Sequence, residues 1–142
     1  MSNFFVGVDV GKEELVCTVL DEHGKERGRN TFRNGSSGFR HFTSFLLSID
    51  TDAREAQFFI GMEATGVYYR NFANSLFKGG DPFLVGVFNP ASVSAYMKSK
   101  LSRTKTDRQD SLYIARYTLD LWRDGAFRPW EPEKKEFGHL CQ

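Results

Sequence analysis

The chain has 142 residues, 40% apolar and 26% charged, which is enough for one packed core and too apolar for a disordered segment. Nineteen Lys and Arg against 18 Asp and Glu leave a net charge of +1, so overall charge singles out no polyanionic partner and only local clustering can. Two cysteines, Cys17 and Cys141, are too few for a disulfide framework or a zinc site, and no apolar run approaches the ~20 residues of a membrane helix; no membrane partner is expected, and a reducing cytoplasm is the expected compartment.

Strands are expected over residues 4–10 ("FFVGVDV") and 14–21 ("ELVCTVLD"), both rich in β-branched and aromatic side chains. Gly24 marks a hairpin into a third strand over 27–33. Asn34, Ser36 or Ser37 then offers a helix cap, and Phe39, Phe42, Leu46 and Ile49 recur at helical spacing. "AQFFIGME" (56–63) reads as a short buried strand. Tyr69, Phe72, Ala73, Leu76 and Phe77 form the apolar stripe of a second helix, which Gly79 and Gly80 stop. "FLVGVF" (83–88) is the fifth strand, and Pro90 suits the first turn of a helix running to about Leu101. A last helix should begin near Asp107 and end before Gly125. Most of the fourteen Phe residues should be core.

Three antiparallel strands followed by β-α-β crossovers predict an α/β fold, a mixed five-stranded sheet with helices on both faces. That order matches the ribonuclease H-like architecture.

Four acids stand out. By the period of two along a strand, Phe5, Gly7, Asp9 and Gly11 share one face of the first strand, and Phe59, Gly61 and Glu63 share one face of the fourth. An acid with glycines on its own face leaves room for a close approach by backbone or metal. If the two strands are neighbours, Asp9 and Glu63 stand side by side and repel unless a cation joins them. Asp107 and Asp110, three apart, share one face of the last helix, and Ile114, Tyr117 and Leu121 continue that face as a packed stripe. Acids in a first turn also suit the helix dipole, by about 0.3–1 kcal/mol, but that does not explain their sharing the inward face. Asp9, Glu63, Asp107 and Asp110 thus form an expected oxygen-donor set for Mg2+, with Mn2+ as a substitute. Such a set suits a two-metal site about 3.5–4 Å wide, built for in-line attack at a phosphodiester.

Lys98, Lys100, Arg103, Lys105 and Arg108 crowd the stretch before the last helix, with Asp107 the only acid among them. They are candidates to hold nucleic-acid phosphates, with salt-dependent binding. Tyr68 and Tyr96 are candidates to stack on bases, and Tyr69 is expected in the core.

"GVDVGKEE", "GMEATGVYY" and "NPASVSAYMKSKLSRTKTDRQDS" together resemble the three sequence blocks of the DEDD transposases, the group of insertion sequence one-hundred-and-ten elements and the Piv pilin-gene invertases. The resemblance covers nearly the whole chain. It implies a RuvC-like catalytic domain on a ribonuclease H-like fold, with the acidic tetrad on Asp9, Glu63, Asp107 and Asp110. Lys105 and Thr106 fall in its "KTD" block, and Asn89 and Pro90 in its "NP" block. It further implies magnesium-dependent DNA transposition or inversion, a structured noncoding guide RNA, and a homo-oligomer in the full-length protein, acting on the nucleoid of a bacterial or archaeal cell. Full-length members of the family carry a second, C-terminal domain with a serine implicated as nucleophile, a role that Ser36, Ser99 and Ser111 do not match. Residues 1–128 are therefore expected to be the catalytic domain and 129–142 the start of a helical linker, with weak or no activity for this piece alone.

Two rival readings exist. "GVDVGKEE" also resembles the first phosphate loop of actin-like ATPases, which need a second such loop and a longer chain. A noncatalytic nucleic-acid-binding module would use the same acids only as caps and ion pairs, and would gain no stability from added magnesium.

Overall fold

In β1 (Asn3–Val10) residues 4–8 are all buried, so the strand is covered on both faces and lies at the middle of the sheet. It pairs antiparallel with β2 (Glu14–Leu20), which pairs antiparallel with β3 (Glu26–Arg33). On its other side β1 pairs parallel with β4 (Gln57–Glu63), and β4 pairs parallel with β5 (Phe83–Phe88). The order β3-β2-β1-β4-β5 is the mixed five-stranded sheet expected of a ribonuclease H-like domain. The computed structural model describes residues 2–49, 55–100 and 110–132.

Helices α1 (Ser36–Leu47) and α2 (Tyr69–Gly79) cover one face, where Phe42, Leu46, Phe72, Ala73 and Leu76 close over Phe4, Val6, Val8, Phe58 and Ile60. Helices α3 (Pro90–Lys100) and α4 (Asp110–Arg123) cover the other. There Val93, Met97 and Ile114 pack with Phe88, and Leu119 packs with Phe5 and Phe59. Rings carry much of both layers: Phe4 stacks on Phe58 and Phe5 on Phe59, each at 5.3 Å, as neighbours across the parallel pair must. Among the described residues no helix is long and apolar enough to cross a membrane.

Several expectations shift in detail. α1 is capped by Gly35 in extended backbone with no side-chain cap, because Asn34 is turned to another use described below. Phe77 is 42% exposed rather than part of the buried stripe of α2, and meets the Trp130 ring edge-on at 6.2 Å. After α4 the chain turns at Gly125 (φ +69°) and runs back along β5, where the Trp130 amide donates to the Val85 carbonyl at 2.7 Å. That return covers a strand edge that would otherwise be open to pairing. Residues 129–132 of the expected linker are thus irregular chain against β5, and the remainder lies outside the described residues.

α4 packs closely on the sheet. A Cβ placed on Gly7 would stand 2.1 Å from the Ser111 carbonyl oxygen and 2.2 Å from the Ala115 nitrogen, and one on Gly61 would stand 2.1 Å from Thr118 Oγ1. Backbone cannot yield as a side-chain tip can. Gly7→Ala is therefore expected to cost about 3 kcal/mol by overpacking, measured by urea denaturation, and an unchanged midpoint would show that α4 is not seated there.

Cys17 is fully buried in β2, and burial pushes its thiol from 9.0 to about 12. A raised pKa means that the unfolded chain gives up this proton first. The stabilising contribution is complete below about pH 9 and is lost as pH climbs towards 12. Cys17→Val should flatten the alkaline fall in thermal midpoint over that window relative to the parent.

Candidate functional site

The parallel ladder between β1 and β4 matches Gly7 with Gly61 and Val8 with Met62. One step further along both strands stand Asp9 and Glu63. Because the position of Gly7 faces α4, Asp9 faces α4 as well, and the same alternation carries from Gly61 to Glu63. Adjacent strands lie about 4.8 Å apart, so the two acids rise as neighbours from the end of the sheet. Both are half-buried.

α4 brings a third acid to the same edge. Ser111 lies over Gly7 and Thr18, its hydroxyl 2.7 Å from Thr18 Oγ1. Further along, Thr118 lies over Gly61, and Trp122 meets the Phe5 ring at 5.0 Å near the start of β1. The helix therefore crosses the sheet obliquely from β2 towards β4, in the opposite sense to β1, with its C-terminal end by the start of β1 and its N-terminal end on the side of Asp9. Asp110, half-buried, is its first residue, one before Ser111. The partial positive charge of a helix N-terminus then points at the carboxylate edge.

The buried row of α4 is Ser111, Ile114, Ala115, Thr118 and Leu119. The expected row of Asp110, Ile114, Tyr117 and Leu121 is displaced by one position, and Asp110 sits on the flank facing α3. The cause is the glycine seat: close approach selects the small residues of the helix for the sheet side. Tyr117 and Leu121 pack instead with Phe88, Val93 and Met97. The space above Gly7 is filled by the backbone of α4 and that above Gly61 by the Thr118 hydroxyl and the Phe88 ring, so the room these two glycines clear serves packing rather than a metal.

Asp107, Arg103, Lys105 and Arg108 lie outside the described residues. Among the described residues no three His, Cys, Asp or Glu side chains converge on one metal-sized point. Asp9 and Glu63 supply a pair of hard oxygen donors, which fits Mg2+, an ion that needs one or two carboxylates beside its waters and a substrate phosphate. Of the cations, Lys98 and Lys100 are exposed at the end of α3, with the Lys100 ammonium 5.6 Å from the centre of the Tyr96 ring. The Tyr96 hydroxyl donates to Asp120 at 2.6 Å, and burial together with that carboxylate raises its pKa. Asp120 is ten residues, or about 15 Å, along α4 from Asp110, so Lys100 stands by the far half of the helix. Tyr96 is thereby fixed between helices, whereas Tyr68 is 45% exposed in the loop after Glu63, beside Val67 at 66%. Ser111 is buried against Thr18, and Ser99 donates to the Tyr96 carbonyl.

The sequence offers Asn34 only as a possible cap. Its side-chain amide donates to the Gly11 carbonyl at 2.8 Å and to the Tyr68 carbonyl at 3.3 Å, contacts between loops that no local pattern encodes.

A ribonuclease H-like sheet with two acids at adjacent strand tips and a third at a helix start is the class of domain these features define. Residues 6–141 match the family model of the DEDD transposases of the insertion sequence one-hundred-and-ten group, described as a transposase. The chain belongs to that family. It is similar to the pilin gene-inverting proteins of Moraxella bovis and Moraxella lacunata, 30% identical to each over 117 residues, which is 82% of this chain and 34% of the relative. The chain thus spans about a third of the length of these curated relatives.

The join between α3 and α4 offers a direct check. Tyr96→Phe should cost about 1.5 kcal/mol, the worth of a hydrogen bond to a charged group, in chemical denaturation. A loss no larger than experimental scatter would mean that the Asp120 contact does not hold α3 in place.

Proposed function

We propose that this chain is the catalytic domain of a DNA transposase or site-specific invertase that cleaves and transfers DNA strands with the help of Mg2+. The single observation that carries this reading is the register of β1 and β4, which makes Asp9 and Glu63 neighbours at the sheet edge to which α4 delivers Asp110. Asp9 and Glu63 would hold the ion, with Asp110 and Asp107 as the further proposed donors. When bound, the ion supplies charge neutralisation at the scissile phosphate and orientation of the attacking and leaving oxygens. The protein's own part is positioning: rigid strand tips and a seated helix end fix the acids before DNA arrives.

Phosphates of the nucleic acid meet Lys98, Lys100, Arg103, Lys105 and Arg108, and Tyr68 offers an exposed ring for an unpaired base. Family membership supports DNA as substrate; a noncoding guide RNA as the source of sequence choice and a homo-oligomer as the working form are parts of the proposal. The curated relatives are about three times as long as this chain, and the 142-residue chain by itself is proposed to be weakly active or inactive.

Two measurements test the reading. Saturating Mn2+ should raise the thermal midpoint of the chain, by the equivalent of about 2.7 kcal/mol at one hundred times the dissociation constant, and Asp9→Asn or Glu63→Gln should abolish that rise. No response to the ion in the parent would favour a noncatalytic binding module. Robust strand cleavage by this chain with Mg2+ would overturn the proposal that it is weakly active or inactive by itself.

A further inference from the structure

We infer that Asn34 is a positioning residue for the carboxylate edge, its side-chain amide stitching the loop after Asp9 to the loop after Glu63. This rests on the function proposed above. The β1–β4 ladder matches residues only as far as Val8 and Met62, one step short of the two acids. Beyond it the strands belong to different partners. Asp9 stays in register with Val16 of β2, whereas Glu63 stays in register with Phe88 of β5, and the Ala64 amide donates to the Phe88 carbonyl at 2.9 Å. The gap between the acids therefore opens where the two halves of the sheet part.

Asn34 spans that parting from the end of β3. One amide nitrogen donates to Gly11 in the loop following Asp9 and to Tyr68 in the loop following Glu63. Its own backbone amide donates to the Glu13 carbonyl at 2.8 Å, which holds the residue from a third side. The chemistry requires an amide. A primary amide has two N–H groups on one nitrogen, one for each carbonyl, and a half-buried carboxylate in its place would set oxygen against oxygen. A hydroxyl has a single proton to give. With the tie in place the loops behind the two acids are held to one residue, which limits how far the strand tips can part before an ion binds.

The test measures the Mn2+ midpoint of thermal stabilisation in the 142-residue chain. Asn34→Ala and Asn34→Asp are expected to raise that midpoint about tenfold, as loss of a supporting group around metal ligands does, with Asn34→Gln falling between them and the parent. Tyr96→Phe serves as the control, since it lowers stability without touching either loop and should leave the midpoint unmoved. If Asn34→Ala and Asn34→Asp lose stability yet keep the parental midpoint, Asn34 is structural only and the inference falls, while the proposed metal site stands. If the parent itself shows no Mn2+ response, the functional reading and this inference fall together.

Discussion

The seat of α4 on Gly7 and Gly61 is the constraint on which the remaining geometry depends. The missing side chain of Gly7 lets helix backbone lie against strand backbone, and that of Gly61 makes room for the Thr118 hydroxyl and the Phe88 ring. That contact chooses the buried row of α4, sets its oblique course across the sheet and leaves Asp110 at the helix end on the side of Asp9. Ser111 with Thr18, and Thr118 with its own Ile114 carbonyl, leave the buried hydroxyls of this interface satisfied, so it carries no uncompensated polar cost.

Much of this was legible in the amino-acid order. The alternation of Val6, Val8 and Val10 against Phe5, Gly7 and Asp9 fixes the faces of β1, and β4 repeats it, so the neighbouring acids follow once the two strands pair. The strand–helix order likewise leads to the mixed sheet. What could not be read was contact across long sequence distance. A glycine beside an acid is compatible with a metal or a helix, and only the location of Ser111 and Ala115 decides for the helix. Asn34 looks like a cap because caps are local, while its partners lie 23 and 34 residues away. The row of α4 slipped by one for the same reason: periodicity defines a stripe, but the surface opposite selects which stripe is buried.

The two faces of the sheet divide the labour. The α1–α2 face is a broad aromatic core, in which Phe42 meets Phe32 and Phe72 edge-on at 5.7 and 5.0 Å, and carries none of the proposed ligands. The α3–α4 face is thinner and more polar, with Tyr96, Tyr117 and Asp120 bridging the helices. Most of the buried apolar side chains of the described residues lie on the first face.

Seating the helix at Ser111 and Ala115 also gives it a fulcrum. From Ala115 to Trp122 is about 10 Å of helix, and from Ala115 back to Asp110 about 7.5 Å. A tilt forced at the tryptophan end reaches the aspartate diminished and reversed in direction. Sequence drift among the rings around Trp122 is consequently damped before it arrives at the acidic rim.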